Sequence, residues 1–286
     1  MTAEIAKGVR KRSLQDKLIS GYNSLRYAVT EPIKLNLIRT KQERFYQEKS
    51  ERPLISVYVP TYNRGDILIK RAVSSVLAQT YKNFEFIIVG DCCTDNTEEL
   101  VSKIDDPRIR FYNLSERKYR YPETTENHWF AGPVVAANKA FELIRGKWIA
   151  RIDDDDTWTP DHLEVLLAYA QENAYEFVSA SYLENRHGKE TVIDVKNATP
   201  RIGGSLTWFY RSYLKCFRYN IDCWRKNWNR VNDTDLRNRF FLAGVRIGFL
   251  DKVVGYVFPR PGEKTIGLDA YRAAEKEKKA HFKFQR

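Results

Sequence analysis

The sequence predicts an α/β fold: a mostly parallel central sheet flanked by helices, with a helical extension at the N-terminus. Three observations predict it. From Pro53 onward short β-rich runs alternate with segments of helical periodicity, the order that builds a parallel sheet covered on both faces. Ahead of Pro53, apolar residues recur every three or four positions instead, which is the helical pattern. The 286 residues are 43% hydrophobic and 13% aromatic, ample for a packed core.

The first element opens at Ser13-Leu14-Gln15-Asp16, a capping box with Asp in place of the usual Glu or Gln. Leu14, Leu18, Tyr22, Leu25 and Val29 follow at near-helical spacing. Pro32 is expected to interrupt that helix, with a second short one using Ile33, Leu37 and Phe45. Such an extension either packs on the body or another subunit, or lies as an amphipathic helix on anionic lipid.

The body then reads as strand 55–60, helix 66–79, strand 84–89, helix 94–104, strand 109–114, helix 133–144, strand 148–152, helix 160–172 and strand 177–183. Leu163, Leu166 and Leu167 give the 160–172 helix one buried face. Beyond it comes an aromatic stretch from Gly203 to Tyr219, a short helix at 235–243 and strands between Ile247 and Phe258. The chain divides into a basic helical extension (1–52), the α/β domain (53–260) and a basic tail (261–286).

The formal charge of +11 is concentrated at the ends: +6 in residues 1–52 and +4 in residues 259–286. The body is nearly neutral, which argues against a nucleic-acid surface and for an anionic membrane surface or an acidic partner. No apolar run reaches the length of a transmembrane helix, and the N-terminus lacks the apolar core of a secretory signal. Four cysteines without a C-x-x-C pair suggest neither a disulfide framework nor zinc; Cys92 and Cys93 read as small fillers. A cytoplasmic protein, peripheral at the inner membrane face, is expected.

Four consecutive acids, Asp153 to Asp156, end the apolar run Trp148–Ile152. Packed carboxylates repel unless water or a cation neutralises them, and hard divalent cations prefer such oxygens. In open parallel sheets ligands bind at the carboxyl ends of strands, so the loops after Val59, Val89 and Ile152 are the candidate site.

The run Ser56-Val57-Tyr58-Val59-Pro60-Thr61-Tyr62-Asn63-Arg64, the segment Ala72–Val89, Asp91, Thr94-Asp95 and the aspartates stand in an order that resembles family 2 glycosyltransferases of the GT-A fold. The resemblance spans about residues 53–260. It implies a Rossmann-like GT-A domain that transfers a sugar, with inversion, from a nucleotide diphosphate donor. Pro60, Thr61 and Tyr62 would border the base, and Arg64 would belong to the same nucleotide-sugar site. Asp91 would read uracil, since a carboxylate only accepts hydrogen bonds and the imide N–H is a donor. Asn138, in a helix that resembles the donor-bordering helix of the family, is either a sugar or ribose contact or ordinary helix packing.

An extended chain would point Asp153 and Asp155 one way, Asp154 and Asp156 the other. The family's Asp-x-Asp pattern fits either pair, and the spacing to Trp158 and Pro160 favours Asp153 and Asp155. Asp155 becomes the direct ligand of Mn²⁺ or Mg²⁺, and Asp154 a ribose partner. Arg117, Lys118 and Arg120 are diphosphate candidates or solvated cations. Asn232-Asp233-Thr234-Asp235 is similar to the later acidic region of the family, making Asp233 the catalytic base, with Asp235 as the fallback and helix capping as the other role for Asp233. Trp224, Trp228 and Arg230 either wall the acceptor or belong to the core.

The resemblance thus implies a UDP-sugar donor and a saccharide or lipid-linked acceptor in surface-polysaccharide or glycoconjugate synthesis. Two positions depart from the pattern: Gly90 and Asn232 stand where the family has acids. They leave open a non-catalytic partner that binds sugar nucleotide or glycan within a polysaccharide-assembly complex.

Overall fold

The computed structural model describes residues 12–47, 52–225 and 232–277. The chain runs α1 (Leu14–Gln42), β1 (Ile55–Thr61), a helical stretch from α2 (Gly65–Leu68) through a wider turn Ile69–Val73 into α3 (Ser74–Leu77), β2 (Phe84–Gly90), α4 (Thr97–Ser102) and β3 (Ile109–Asn113). Then follow α5 (Thr125–Ala131), α6 (Val134–Leu143), β4 (Trp148–Arg151), β5 (Asp156–Trp158), α7 (His162–Glu172), β6 (Phe177–Arg186) and β7 (Lys189–Ile193). The last elements are β8 (Phe209–Arg211), α8 (Asn232–Leu242), β9 (Ile247–Val257) and α9 (Leu268–Lys276).

One sheet has the order β3-β2-β1-β4-β8-β6-β9-β5, with β7 paired to β6. The parallel character belongs to β3, β2, β1 and β4 and to the β6–β9 pair. β8 joins β4 and β6 antiparallel, and β5 joins β9 antiparallel. β1 and β2 are buried at all seven positions of each strand, as a sheet covered on both faces requires. Crossovers place the carboxyl ends of β1, β2 and β4 on one edge, and β9 returns the chain to that edge beside β5.

The capping box at Ser13 forms, with Asp16 N–H donating to Ser13 Oγ (3.1 Å) and Ser13 N–H to Asp16 Oδ2 (3.0 Å). The expected break at Pro32 does not occur: α1 is one helix of 29 residues. An interior proline costs about 3 kcal/mol. Ion pairs on either side of it hold the helix to the body: Glu31 to Arg239 (2.5 Å) and Arg39 Nε to Glu176 (2.7 Å). Among the described residues no helix is long and apolar enough to cross a membrane.

Candidate active site

The strand ends open into a single cavity of about 270 Å³. Pro60, Thr61, Tyr62 and Arg64 line it from the end of β1 and the loop after it, Asp91 from just past β2, and the four aspartates from the turn between β4 and β5 and the first residue of β5. Asp233 enters from the first turn of α8, and Arg260 and Tyr271 line the cavity beside Asp155 and Arg64.

The aspartates do not alternate as an extended chain would. Asp154 and Asp155 form a turn, and Asp156 N–H donates to the Asp153 carbonyl (3.2 Å). Each carboxylate therefore has its own surroundings. Asp153 accepts from Arg151 Nη2 (2.9 Å) and Ser205 Oγ (3.1 Å). Asp154 accepts from Thr61 Oγ1 (2.8 Å) and Arg64 Nη1 (2.9 Å). Asp155 has only the long approaches of Arg64 (3.7 Å) and Arg260 (3.8 Å), and its carboxylate makes no hydrogen bond among the described residues. Burial, reinforced by Asp154, raises its carboxyl above the usual range. Burial and the three neighbouring acids raise Asp156 further.

Of the four carboxylates, Asp155 is the one that could hold a hard divalent cation, since its oxygens have only the long approaches of Arg64 and Arg260. Among the described residues no group of three or more His, Cys, Asp or Glu side chains lies close enough to hold a metal. A cation here would need oxygens from its ligand and water, as Mg²⁺-type sites on phosphates do.

Asp91 is 6% exposed and ion-paired with Arg117, itself 7% exposed. Asp91 Oδ1 is buried without a hydrogen-bond partner, on a residue that lines the cavity. Arg117 is thus no solvated cation: its guanidinium also donates to the carbonyls of Ala131 (3.3 Å) and Gly132 (3.0 Å). Lys118 is exposed beside Glu116 (3.7 Å).

The glycine that replaces an acid next to Asp91 has a steric reason. A Cβ at Gly90 would stand 2.6 Å from Asn113 Oδ1. That amide clamps the loop, accepting from Cys93 N–H (2.8 Å) and donating to the Cys93 carbonyl (2.8 Å). Burial raises the Cys93 thiol, as befits a filler rather than a nucleophile.

Asp233 is half-buried at the cavity, and burial raises its carboxyl, opposed chiefly by the Arg151 charge. It also accepts from Thr234 N–H (2.8 Å). Asp235, expected as the fallback base, does not reach the cavity. Its carboxylate is bound to Arg239 Nε (3.0 Å), one helical turn on, beside Glu31. Asn138 also lies outside the cavity, because both ends of its amide are taken by the backbone of Tyr219 (2.9 and 2.8 Å). Trp224 packs with Phe130 and Leu268, while Trp228 and Arg230 lie outside the described residues.

Among the cavity residues that escaped the sequence reading are Arg151, Ser205, Arg260, Tyr271 and His128. Arg151 carried a signal, as a lone cation in an apolar strand directly before the acids. Arg260 and Tyr271 carried none, and a boundary at residue 260 cuts through the site. Arg64 Nη2 donates to Tyr271 Oη (2.6 Å), so α9 is part of the wall. His128 is pushed down to about 3 by burial and by Arg64, Arg117 and Arg260, leaving it neutral.

Known proteins resemble this chain in sequence and in fold. WcaA of Escherichia coli (strain K12), named for colanic acid biosynthesis, is 41% identical over 122 residues, 42% of this chain and 39% of that protein. TuaG of Bacillus subtilis, named for teichuronic acid biosynthesis, is 36% identical over 133 residues, 46% of this chain and 47% of that protein. The UDP-Glc:alpha-D-GlcNAc-diphosphoundecaprenol beta-1,3-glucosyltransferase WfgD of Escherichia coli is 31% identical over 129 residues, 45% of this chain and 46% of that protein. The chain thus spans less than half the length of these relatives.

Among solved structures, S. aureus TarS in complex with UDP-GlcNAc matches at a TM-score of 0.58 and 22% identity, over 73% of this chain and 60% of that one. The mannosyltransferase PcManGT of Pyrobaculum calidifontis, in complex with GDP-Man and Mn²⁺, matches at 0.55 and 16%, over 83% and 68%. The fold is that of GT-A glycosyltransferases. The sequence profile of glycosyl transferase family 2 matches residues 56–226, and the chain belongs to that family.

Proposed function

We propose that this protein is an inverting glycosyltransferase that moves a sugar from a UDP-sugar to a saccharide or lipid-linked acceptor, assisted by Mn²⁺ or Mg²⁺, in the synthesis of a surface polysaccharide or glycoconjugate. The carrying observation is that one cavity gathers a buried acceptor without a partner (Asp91 Oδ1), an uncommitted carboxylate (Asp155) and a carboxyl of raised basicity (Asp233). The complexes of TarS with UDP-GlcNAc and PcManGT with GDP-Man and Mn²⁺ support the donor class and the metal. The name of WfgD supports a lipid diphosphate acceptor, which goes with a place at the cytoplasmic face of a membrane.

In this reading Asp91 accepts the uracil imide N–H, with Pro60, Thr61 and Tyr62 bordering the base. Asp154, fixed by Thr61 and Arg64, meets the ribose. Asp155 holds the cation with support from Asp153, and the bound metal supplies Lewis-acid stabilisation of the diphosphate. Arg64 and Arg260 flank Asp155, where they neutralise charge on the departing nucleoside diphosphate. Asp233 takes the proton of the acceptor hydroxyl as that oxygen attacks the anomeric carbon and the bond to the diphosphate breaks. Burial helps it here, because a raised carboxyl is a stronger base.

The test is Asp233→Asn, assayed for UDP release and for donor binding. Turnover should fall by about 10²–10⁴-fold while donor affinity stays within a few-fold. Collapse of binding with turnover preserved would assign the base elsewhere. Gly90 and Asn232, which stand where the family has acids, motivate a second, non-catalytic reading that we set behind the catalytic one. UDP-release assays silent with every donor and acceptor would favour it instead.

A further inference from the structure

Helix α1 is built with its polar side inward. Asp16, Ser20, Asn23 and Glu31 are buried, with Leu35 the apolar member of that side, and the acids are held by ion pairs to the body: Asp16 to Arg225 (2.9 Å) and Glu31 to Arg239 (2.5 Å). The apolar stripe read from the sequence faces solvent instead. Leu18 is 65% exposed, Leu25 67%, Ile33 57% and Leu37 60%, and Leu14, Tyr22 and Val29 continue the same face. Burying one such side chain is worth about 1.5–3 kcal/mol, so the stripe is a large unspent driving force for covering this face.

Charge selects what covers it. Lys17, Arg26, Lys34 and Lys41 are exposed along α1, and Arg44 just beyond it. No carboxylate of residues 12–47 is exposed: besides Asp16 and Glu31, the remaining acid, Glu43, is half-buried and bound to Arg211 and Arg246. The outward surface is therefore apolar and cationic, with no anion to offer. A second copy docked on this face would set cations against cations. A bilayer rich in anionic lipid suits both features, with apolar side chains at the acyl boundary and Lys and Arg at the headgroups.

We propose that the outward face of α1 is an in-plane anchor for an anionic membrane surface. The body hangs from it through the turn Cys223–Arg225 and through α8, the helix whose first turn carries Asp233. The anchor thus packs directly on the helix that carries the proposed base. That link to a lipid-borne acceptor rests on the function proposed above; the anchor itself does not.

The experiment is flotation of the full chain with phosphatidylglycerol and with phosphatidylcholine vesicles, alongside Leu18→Ser/Leu25→Ser/Leu37→Ser and Lys17→Glu/Arg26→Glu/Lys34→Glu. These side chains are exposed, so melting temperatures should match the parent. Parent protein should bind phosphatidylglycerol at least roughly tenfold more tightly than phosphatidylcholine, and each triple variant should lose roughly tenfold or more on phosphatidylglycerol. Parental binding by the serine variant would overturn the proposal. So would a parent that ignores vesicles but forms a dimer that the serine variant breaks. UDP-sugar turnover onto a soluble acceptor, unchanged in the variants, separates failure of the anchor from failure of the proposed reaction.

Discussion

Replacing Asp91 by Asn tests the base-reading role with a selectivity that the structure sets in advance. Asp91 Oδ1 is a buried acceptor without a partner, so a nucleobase that donates at this point gains a charge-assisted hydrogen bond of about 1.5–3 kcal/mol. Uracil carries an imide N–H there, whereas cytosine presents an acceptor nitrogen. The parent should therefore bind UDP about 10- to 150-fold more tightly than CDP, since each 1.4 kcal/mol is a factor of ten. Asn can turn either its oxygen or its NH₂ to the base, so the preference should shrink to within a few-fold.

The same change strips Arg117 of a buried counter-charge. Breaking a buried pair costs about 3–5 kcal/mol. Arg117 keeps its bonds to the carbonyls of Ala131 and Gly132, which places the loss toward the lower figure. Isothermal titration with UDP and CDP, paired with urea melts, reads both quantities. An Asp91→Asn protein that keeps the parental preference for UDP would refute the reasoning, as would a parent with no preference.

Two more expectations follow from the buried ionisable groups. Asp155→Asn should cut metal-dependent turnover by roughly 10³-fold or more, the several kcal/mol of a Lewis acid. It should also raise the melting temperature of metal-free protein at pH 7.5, because a carboxyl raised by burial and Asp154 is costly to ionise; full turnover in this variant would remove Asp155 from the metal. His162 is fully buried, bonds the Val254 carbonyl (2.8 Å) and is held down to about 3 by burial. A depressed histidine contributes stability that is fully present above its unfolded value of 6.5 and is lost as pH falls toward 3. Between pH 7 and pH 5 the parent should therefore lose about 2 kcal/mol more than His162→Gln in urea melts; parallel losses would contradict the assignment.

Much of the fold was legible because it is written in local periodicity. The strands β1, β2, β3 and β4 and the helices α6 and α7 fall within a few residues of their expected bounds, since each is fixed by its own apolar pattern. The short β5 and β8 were not legible. Three residues carry no period, and these strands exist because β9 and β4 offer them edges. Pro32 misled for a related reason: the propensity to break is local, while the ion pairs that hold α1 through it come from residues up to 208 positions away.

The sequence by itself determined the family, the strand-end location of the site and the residues Asp91, Asp155 and Asp233 that gather there, because order and spacing along the chain are all that those inferences need. Only the tertiary structure decided how the four aspartates differ, since Thr61 and Arg64 reach them from the end of β1, Arg151 from β4 and Ser205 from the segment before β8. Only it removed Asn138 and Asp235, whose polar groups are consumed by Tyr219 and Arg239. And only packing decided which way α1 faces: the period of its leucines is the same inward or outward, and ion pairs on the opposite side turned them to solvent.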